Sequence, residues 1–327
     1  MLKVCLIFRD SRGEGNSFEE IFLDLHNHLK KNPELEVQNF FYNSDLSLIR
    51  NILNLRKVKA DVFHITGDVH WLTPFLMGLN VVNTIHDIGT YKNLNGLKKY
   101  LYGLFWVRLP SIFSKKVTTC SSFTSADLKK FFGICDVSVI HNPVNSKIHY
   151  NEKLSMNEIP NILQIGTSSH KNLEGVIYAI SGLSVTLTII GKISNKQKKL
   201  LKNFKIDYKN IFQVSFQEVI NCYEKSDIVS FVSFHEGFGM PIIEANTLGR
   251  PIVSSNTCSI PEVAGDAAVL VDPNSVSEIR SAFCALINDN KKWREYVKRG
   301  LENAKRFSIR NISMQYVELY KKIVRQP

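Results

Sequence analysis

Short runs of apolar, often β-branched residues alternate with longer amphipathic stretches along the whole chain. In the first half these runs predict strands at residues 2–8, 36–41, 61–65, 80–85, 116–120 and 137–140. In the second half they predict strands at residues 161–165, 185–190, 227–232 and 251–254. Strands that alternate with helices in this way predict parallel sheets covered by helices on both faces. The fold class is therefore α/β, with doubly wound, Rossmann-like sheets.

The length of the chain and one polar stretch predict two domains. At 327 residues the chain is long for one hydrophobic core and suits two domains of about 150 residues each. Residues 145–160 are polar and lack periodicity, so we place the interdomain linker there. The predicted domains are residues 1–150 and residues 151–308.

The most informative stretch follows the predicted strand at 227–232. Gly237 and Gly239 allow a tight turn there, and Pro241 fits the first turn of a helix that Gly249 would end. A glycine-bearing loop at a helix N-terminus favours an anion, because exposed amide groups and the helix dipole both attract negative charge. We therefore expect a phosphate group to bind at the backbone of Gly237, Phe238, Gly239 and Met240.

Two carboxylates flank this predicted anion site. Glu236 lies on the loop, and Glu244 is expected in the first turn of the helix. Either residue alone is as often structural as functional, because acidic residues are common near helix N-termini. Together they predict a ligand that carries both phosphate and hydroxyl groups, since carboxylates accept hydrogen bonds from sugar hydroxyls. A nucleotide sugar has all of these groups.

The run Glu236-Gly237-Phe238-Gly239-Met240-Pro241-Ile242-Ile243-Glu244-Ala245 resembles the E-x7-E signature of retaining glycosyltransferases of family four. The similarity continues through residues 249–253 and 260–268. The resemblance implies the GT-B architecture, in which two Rossmann-like domains face each other across a cleft. It also implies that the C-terminal helix, residues 309–327, packs back on the first domain, and that the second domain binds the donor.

The resemblance assigns roles to individual residues. Glu236 is implied to be catalytic and to orient the transferring sugar, and Glu244 to bind the ribose hydroxyls. His86 and Asp87 follow the strand at 80–85, and a lone histidine at the end of a strand is more often structural. Members of the family carry a His-Asp pair at this point. The resemblance therefore implies that His86 approaches the sugar and that Asp87 supports it from behind.

A second loop, after the strand at 161–165, carries the predicted phosphate cation. Gly166 begins this loop, and Lys171 has the compact charge that suits a phosphate. His170 stands where the family commonly has an arginine, so the identity of the second cation stays open, with Lys192 as a weaker candidate. Gly13 and Gly15 in the loop after the first strand resemble a dinucleotide fingerprint only weakly, because the third glycine is missing.

The net charge of +11 predicts an anionic partner but does not choose among nucleic acid, a phosphate-bearing substrate and an acidic membrane. Residues 92–116 mix lysines with aromatic and aliphatic residues, which fits either a membrane-interface segment or a helix packed on the sheet. The six cysteines have no metal-ligand spacing and predict reduced packing residues in a cytoplasmic protein. Peripheral attachment to the inner face of the plasma membrane is left open.

The residues together with the resemblance predict a hexosyltransferase that needs neither metal nor cofactor, and the resemblance implies that it retains anomeric configuration. The donor would be GDP-mannose or a UDP-sugar. The acceptor would be a glycan or lipid-linked oligosaccharide in cell-surface polysaccharide synthesis, such as O-antigen, lipopolysaccharide or capsule. The alternatives are a nucleotide-sugar epimerase and a non-enzymatic basic protein that binds nucleic acid. The charges are dispersed and no nucleic-acid motif is present, so no nucleic-acid partner is expected.

Overall fold

The computed structural model describes residues 1–9 and 17–325 and divides the chain into two compact domains. The first domain is Met1–Asn145 with Ser308–Pro327, and the second is Ser146–Phe307. The division between them falls at the start of the predicted linker, slightly before the predicted boundary at residue 150. The predicted loop that carries Gly13 and Gly15 lies outside the described residues.

The first domain is a six-stranded parallel sheet with helices on both faces. Its strands are β1 (Leu2–Phe8), β2 (Leu35–Phe41), β3 (Val62–Ile65), β4 (Val81–Ile85), β5 (Lys116–Thr119) and β6 (Val137–Val139). Its helices are α1 (Ser17–Leu29), α2 (Leu48–Lys57), α3 (Gly89–Asn93), α4 (Gly96–Tyr102), α5 (Leu109–Phe113), α6 (Ser122–Phe132) and the C-terminal helix described below, with a 3-10 helix at His70–Leu76 and a π-helix at Gly103–Arg108. The strand order is β2-β1-β3-β4-β5-β6.

Alternate residues of β1 point to opposite faces of the sheet, and both faces are covered by helices. Val4 and Leu6 face a core built with helix α1, whereas Cys5 and Ile7 face a second core that contains Leu55 of α2. All of these side chains are almost completely buried. A strand buried on both sides is a continuous apolar run rather than an alternating one, which is the pattern seen in the sequence of β1.

The second domain repeats the same plan. Its strands are β7 (Asn161–Ile165), β8 (Thr186–Ile190), β9 (Asp207–Ile211), β10 (Ile228–Phe231), β11 (Ile252–Ser255) and β12 (Val269–Val271), all parallel, in the order β12-β11-β10-β7-β8-β9. Its helices are α7 (Leu173–Ile180), α8 (Asn195–Asn203), α9 (Phe216–Lys225), α10 (Met240–Leu248), α11 (Ile260–Ala264), α12 (Val276–Ile287) and α13 (Asn290–Ala304), with 3-10 helices at Ser169–Lys171 and Lys305–Phe307. The α/β fold predicted from the sequence is confirmed in both domains.

The two edge strands of the second sheet, β9 and β12, were missed by the sequence pattern. β9 has the sequence Asp-Tyr-Lys-Asn-Ile, and its first three residues are exposed. β12 has only three residues, of which Val271 is buried. Neither strand forms the long apolar run that marks the central strands, because an edge strand is partly exposed to solvent.

The C-terminal helix α14 (Ile309–Arg325) packs on the first domain, together with α1. Tyr320 of α14 is fully buried, and its hydroxyl lies 2.7 Å from Nδ1 of His64 in β3. The other ring nitrogen of His64 lies 2.7 Å from Oγ1 of Thr84 in β4. Burial lowers the pKa of His64 to about 3, so the ring is neutral and links α14 to the centre of the sheet.

Among the described residues, none of the helices combines the length and the apolar character that a bilayer crossing requires.

The buried His64 should make the first domain sensitive to acid. Its pKa in the folded state is about 3, well below the ordinary value of about 6.5, so protons bind preferentially to the unfolded chain. Stability is therefore complete above about pH 6.5 and falls as the pH is lowered, by about 1.4 kcal/mol per pH unit from this group alone. Urea unfolding between pH 7 and pH 4.5 should show a steeper loss for the native chain than for His64→Gln.

The exposed His149 provides the control for this measurement. His149→Gln should retain the pH dependence of the native chain. Equal slopes for the native chain and His64→Gln would mean that His64 contributes nothing to acid sensitivity.

Candidate functional site

The loop after β10 reaches the N-terminus of α10 through a backbone conformation that glycine favours. Gly239 is the N-cap residue of α10 and has a φ of 109°. A Cβ atom at this position would lie 3.1 Å from Cδ1 of Ile242 in the first turn. No side chain caps the helix, and Pro241 occupies its first turn. The helix therefore begins at the carboxyl edge of the sheet with the positive end of its dipole toward this loop.

A second loop, after the neighbouring strand β7, supports Lys171. Gly166 has a φ of 85°, and a Cβ atom there would lie only 2.8 Å from Cγ of Lys171. The buried amide of Gln164 donates to the carbonyl oxygens of Gly166 and Lys171, at 3.2 and 3.0 Å. The Nζ atom of Lys171 lies 4.8 Å from the ring centre of Phe231, the last residue of β10. The lysine is thus held against the end of the adjacent strand.

Lys171 and Glu236 form an ion pair, with 2.6 Å between Nζ and Oε1. Their side chains are only 20% and 14% exposed. The carbonyl oxygen of Glu236 also accepts a hydrogen bond from Ser259, whose hydroxyl is 3.0 Å from the carbonyl oxygen of Phe238 as well. The structure therefore brings together a predicted phosphate cation and a predicted catalytic carboxylate, which the sequence had placed on separate loops.

Glu244 is the fifth residue of α10 and lies just beyond its first turn. The helix begins at Met240 because Gly239 adopts the left-handed conformation, so the first turn contains no acidic residue. The prediction that Glu244 belongs to the first turn is therefore wrong. The Oε2 atom of Glu244 accepts a hydrogen bond of 2.6 Å from the hydroxyl of Tyr223 in α9.

The remaining residues predicted for the donor site lie on the same edge of the sheet. The carbonyl oxygen of His170 accepts a hydrogen bond of 2.8 Å from the backbone amide of Phe234, which joins the loops after β7 and β10. Lys192 follows β8, and its carbonyl oxygen accepts a hydrogen bond of 2.7 Å from the hydroxyl of Thr167. Both His170 and Lys192 are exposed. Their predicted part in phosphate binding stays a prediction.

His86, in the first domain, follows β4 and is almost completely buried. Its Nε2 atom lies 2.8 Å from the carbonyl oxygen of Thr66. Burial lowers the pKa of His86, although the hydrogen bond to Thr66 and the nearby carboxylate of Asp87 act in the opposite direction. The Oδ1 atom of Asp87 accepts a hydrogen bond of 2.7 Å from the backbone amide of Gly89. A neutral imidazole can act as a hydrogen-bond acceptor or as a proton acceptor.

His86 lines a cavity of about 240 Å³ in the first domain. The polar and aromatic side chains that line this cavity include those of Glu19, Asp68, His70, Asp87, Tyr102 and Trp106. Three of these are carboxylates, and Arg9 pairs with Glu19 and with Asp68. The rings of Tyr102 and Trp106 stack, with 5.5 Å between their centres. Carboxylates beside a flat aromatic surface suit a ligand that has hydroxyl groups and an apolar face.

Two family models match successive parts of this chain. The model described as Glycosyltransferase Family 4 matches residues 5–147, and the model described as Glycosyl transferases group 1 matches residues 149–303. The chain belongs to glycosyltransferase family 4.

Two curated relatives of this family-4 chain are bacterial O-antigen enzymes. O-antigen chain mannosyltransferase B of Escherichia coli is 46% identical over 92 residues, which cover 28% of this chain and 24% of that protein. O-antigen chain mannosyltransferase RfbU of Salmonella typhimurium is 27% identical over 224 residues, which cover 65% of this chain and 62% of that protein. The chain thus aligns with less than two thirds of the length of either relative.

The crystal structure of Anabaena HepE in complex with UDP and glucose is similar to this family-4 chain over nearly its full length. The TM-score is 0.80 at 16% identity, and the alignment covers 98% of this chain and 100% of HepE. At this identity the comparison establishes the fold, and the fold is the GT-B type that the sequence predicted.

Sequence reasoning missed several residues around each of the two candidate sites. Tyr223 and Phe231 contact the predicted donor-site residues, and Glu19, Asp68 and Trp106 line the cavity of His86. No spacing rule connects Tyr223 with Glu244 or Glu19 with His86, because each pair meets only in the folded chain. Among the described residues, no group of three or more histidine, cysteine, aspartate or glutamate side chains is arranged to hold a metal ion.

Proposed function

We propose that this family-4 glycosyltransferase moves a hexose from a nucleoside-diphosphate sugar to a glycan or lipid-linked acceptor, with retention of anomeric configuration. The observation that carries the proposal is the group at the carboxyl edge of the second sheet. There Lys171 pairs with Glu236 on the loop that precedes α10, and α10 has an uncapped N-terminus and carries Glu244. This arrangement suits a diphosphate flanked by two sets of hydroxyl groups.

GDP-mannose is the donor that we propose first, because the two curated relatives are named mannosyltransferases of the O-antigen chain. A UDP-sugar is the second candidate, because the solved structure of HepE contains UDP and glucose. The names of the relatives also support an acceptor in bacterial cell-surface polysaccharide synthesis. The carboxylates and the aromatic pair of the first-domain cavity suit the hydroxyl groups and the apolar face of such an acceptor sugar.

The chemical step breaks the bond between the anomeric carbon and the phosphate oxygen, and it forms a bond from that carbon to an acceptor oxygen. Negative charge develops on the departing phosphate, where Lys171 and the first-turn amides of α10 stabilise it. The ammonium group of Lys171 has three hydrogen-bond donors, so it can donate to a phosphate and to Glu236 at the same time. In a front-face displacement the acceptor proton passes to the departing phosphate oxygen. During this displacement, the carboxylate of Glu236 stabilises the positive charge that develops at the anomeric carbon.

Lys171 and Glu236 should affect binding and turnover differently. Lys171→Ala removes a charge-assisted contact worth about 1.5–3 kcal/mol, so GDP affinity measured by calorimetry should fall about 10- to 100-fold. Glu236→Gln preserves the shape of the side chain and should reduce kcat at least 100-fold while GDP binding persists. Turnover is followed by chromatography of reactions that contain GDP-mannose and mannose-containing oligosaccharide acceptors.

Lys198→Ala, at an exposed position on α8, is the matched control and should behave like the native chain. Before these assays, thermal-shift measurements with GDP, UDP and ADP identify the nucleobase of the donor, since ligands that bind the folded state raise the melting temperature. The proposal fails if none of the three nucleotides binds, or if Glu236→Gln turns over at the native rate. Loss of GDP-mannose in reactions without acceptor would indicate an epimerase or a hydrolase instead.

We also propose that the reaction needs neither metal nor cofactor, because Lys171 and α10 already supply positive charge for the leaving group. EDTA at millimolar concentration should leave the transfer rate unchanged. Loss of transfer in EDTA that is restored by added Mg²⁺ or Mn²⁺ would contradict this.

A third proposal is that α4, the following π-helix and α5 rest on a membrane that contains anionic lipid. Leu97, Tyr100 and Ile112 are 72%, 64% and 71% exposed, so these side chains do not pack on the sheet. Lys98 and Arg108 are exposed on the same segment. Apolar side chains with flanking cations suit insertion at an acidic lipid surface, where lipid-linked acceptors are anchored.

Sedimentation with phosphatidylglycerol-containing vesicles tests this membrane proposal. The native chain should bind, and Leu97→Ser combined with Ile112→Ser should reduce binding several-fold. Leu154→Ser, at a position 74% exposed in the second domain, is the matched control and should bind like the native chain. Equal sedimentation of all three proteins would refute the proposal.

A further inference from the structure

The carboxylate of Glu244 is held by a residue outside its own helix. Tyr223 of α9 is only 1% exposed, and its hydroxyl donates to Oε2 of Glu244 at 2.6 Å. Burial, together with the neighbouring carboxylate, raises the pKa of Tyr223 well above its ordinary value. The phenol therefore keeps its proton across the physiological range and acts as a fixed hydrogen-bond donor toward Glu244.

Tyr223 is itself fixed relative to α10 by a buried guanidinium group. Arg250, just after α10, is 1% exposed. Its Nε atom donates to the carbonyl oxygen of Tyr223 at 3.2 Å, and its Nη1 atom donates to that of Leu248 at 2.7 Å. The hydroxyl of Ser226 donates to the same carbonyl oxygen of Tyr223 at 2.7 Å. One planar cation thus ties the C-terminal ends of α9 and α10 together, so the phenol and the carboxylate keep a fixed separation.

A glutamate side chain loses rotational freedom when it binds a ligand, and this loss weakens binding. Here the hydrogen bond from Tyr223 has already restricted Glu244 before any ligand arrives. A carboxylate offers about four acceptor positions, and the bond from Tyr223 occupies one of them. Glu244 is half-buried whereas Tyr223 is buried, so the ligand-facing group of the pair is the carboxylate.

We propose that Tyr223 is a positioning residue that orients Glu244 and thereby sets the preference of the enzyme for ribose over deoxyribose in the donor nucleotide. This inference rests on the proposed function, because it takes the ligand at α10 to be a nucleotide. It goes further by naming the residue that determines sugar selectivity in the nucleoside. It also distinguishes Tyr223 from the residues that touch the ligand, since Tyr223 acts through Glu244.

The test compares ribose and deoxyribose ligands across variants of the full chain. Calorimetry measures the Kd values of GDP, 2′-deoxy-GDP and 3′-deoxy-GDP for the native chain, Tyr223→Phe and Glu244→Gln. If the thermal-shift screen selects another base, the corresponding nucleotides replace these. The native chain should bind GDP at least tenfold more tightly than one of the deoxy forms. Tyr223→Phe should lose about fivefold in GDP affinity but little in affinity for that deoxy form, so the preference shrinks.

A purely structural tyrosine would give a different result. It would weaken the binding of GDP and its deoxy forms by the same factor, and that outcome overturns the proposal. In steady-state assays, Tyr223→Phe should raise the KM for the donor several-fold with little change in kcat. In the Glu244→Gln background, Tyr223→Phe should have no further effect on ribose preference. An additive effect in that background would mean that Tyr223 acts without Glu244.

Tyr178→Phe is the matched control, because it removes a hydroxyl from a tyrosine of the same domain that packs on Phe204. This variant should keep the native ribose preference. If Tyr223→Phe does not fold, comparison of the native chain with Glu244→Gln still shows whether the carboxylate contributes to the ribose preference. An equal ribose preference in these two proteins overturns the inference. If the native chain binds nucleotide without any ribose preference, the inference about Tyr223 is overturned but the proposed function is not. A native chain that binds no nucleotide refutes the proposed function as well.

Discussion

The ion pair between Lys171 and Glu236 is the contact on which the second-domain site depends. It forms because β7 and β10 are adjacent parallel strands, so the loops that follow them leave the sheet at the same edge. Gly166 leaves room for the lysine stem, and Phe231 supports its charged end. An ion pair removed this far from solvent incurs a desolvation cost that its attraction hardly exceeds. Its presence is therefore better explained by the positioning of two charged groups than by stability.

The first domain positions His86 by different means. His86 and His70 each lie 2.8 Å from a carbonyl oxygen, that of Thr66 and that of Thr84 respectively. Behind them His64 contacts Tyr320, which comes from the last helix of the chain. The neutral imidazoles act here as rigid polar spacers, since their hydrogen bonds fix the ring positions and burial keeps them uncharged. The C-terminal helix is thus part of the scaffold around the cavity.

Both candidate sites contain charged groups that are paired with groups of opposite sign. At the second-domain edge Lys171 pairs with Glu236 beside a helix N-terminus, and at the cavity of His86 Arg9 pairs with Glu19 and Asp68. The net charge of +11 therefore describes the chain as a whole and not these sites. The lysine and the helix N-terminus suit phosphate, and the carboxylates that line the cavity suit hydroxyl groups.

The sequence by itself determined the α/β class, the central strands and the positions of the two informative loops. It could do so because strands buried on both faces are continuous apolar runs, and because glycines mark the turns where φ is positive. It did not reveal the edge strands β9 and β12, whose partly exposed residues lack that signal. Only the tertiary structure decided that Lys171 pairs with Glu236, that Tyr223 holds Glu244, and that Tyr320 reaches His64. These contacts join residues far apart in the chain, and they arise from strand order and helix packing, which no local pattern encodes.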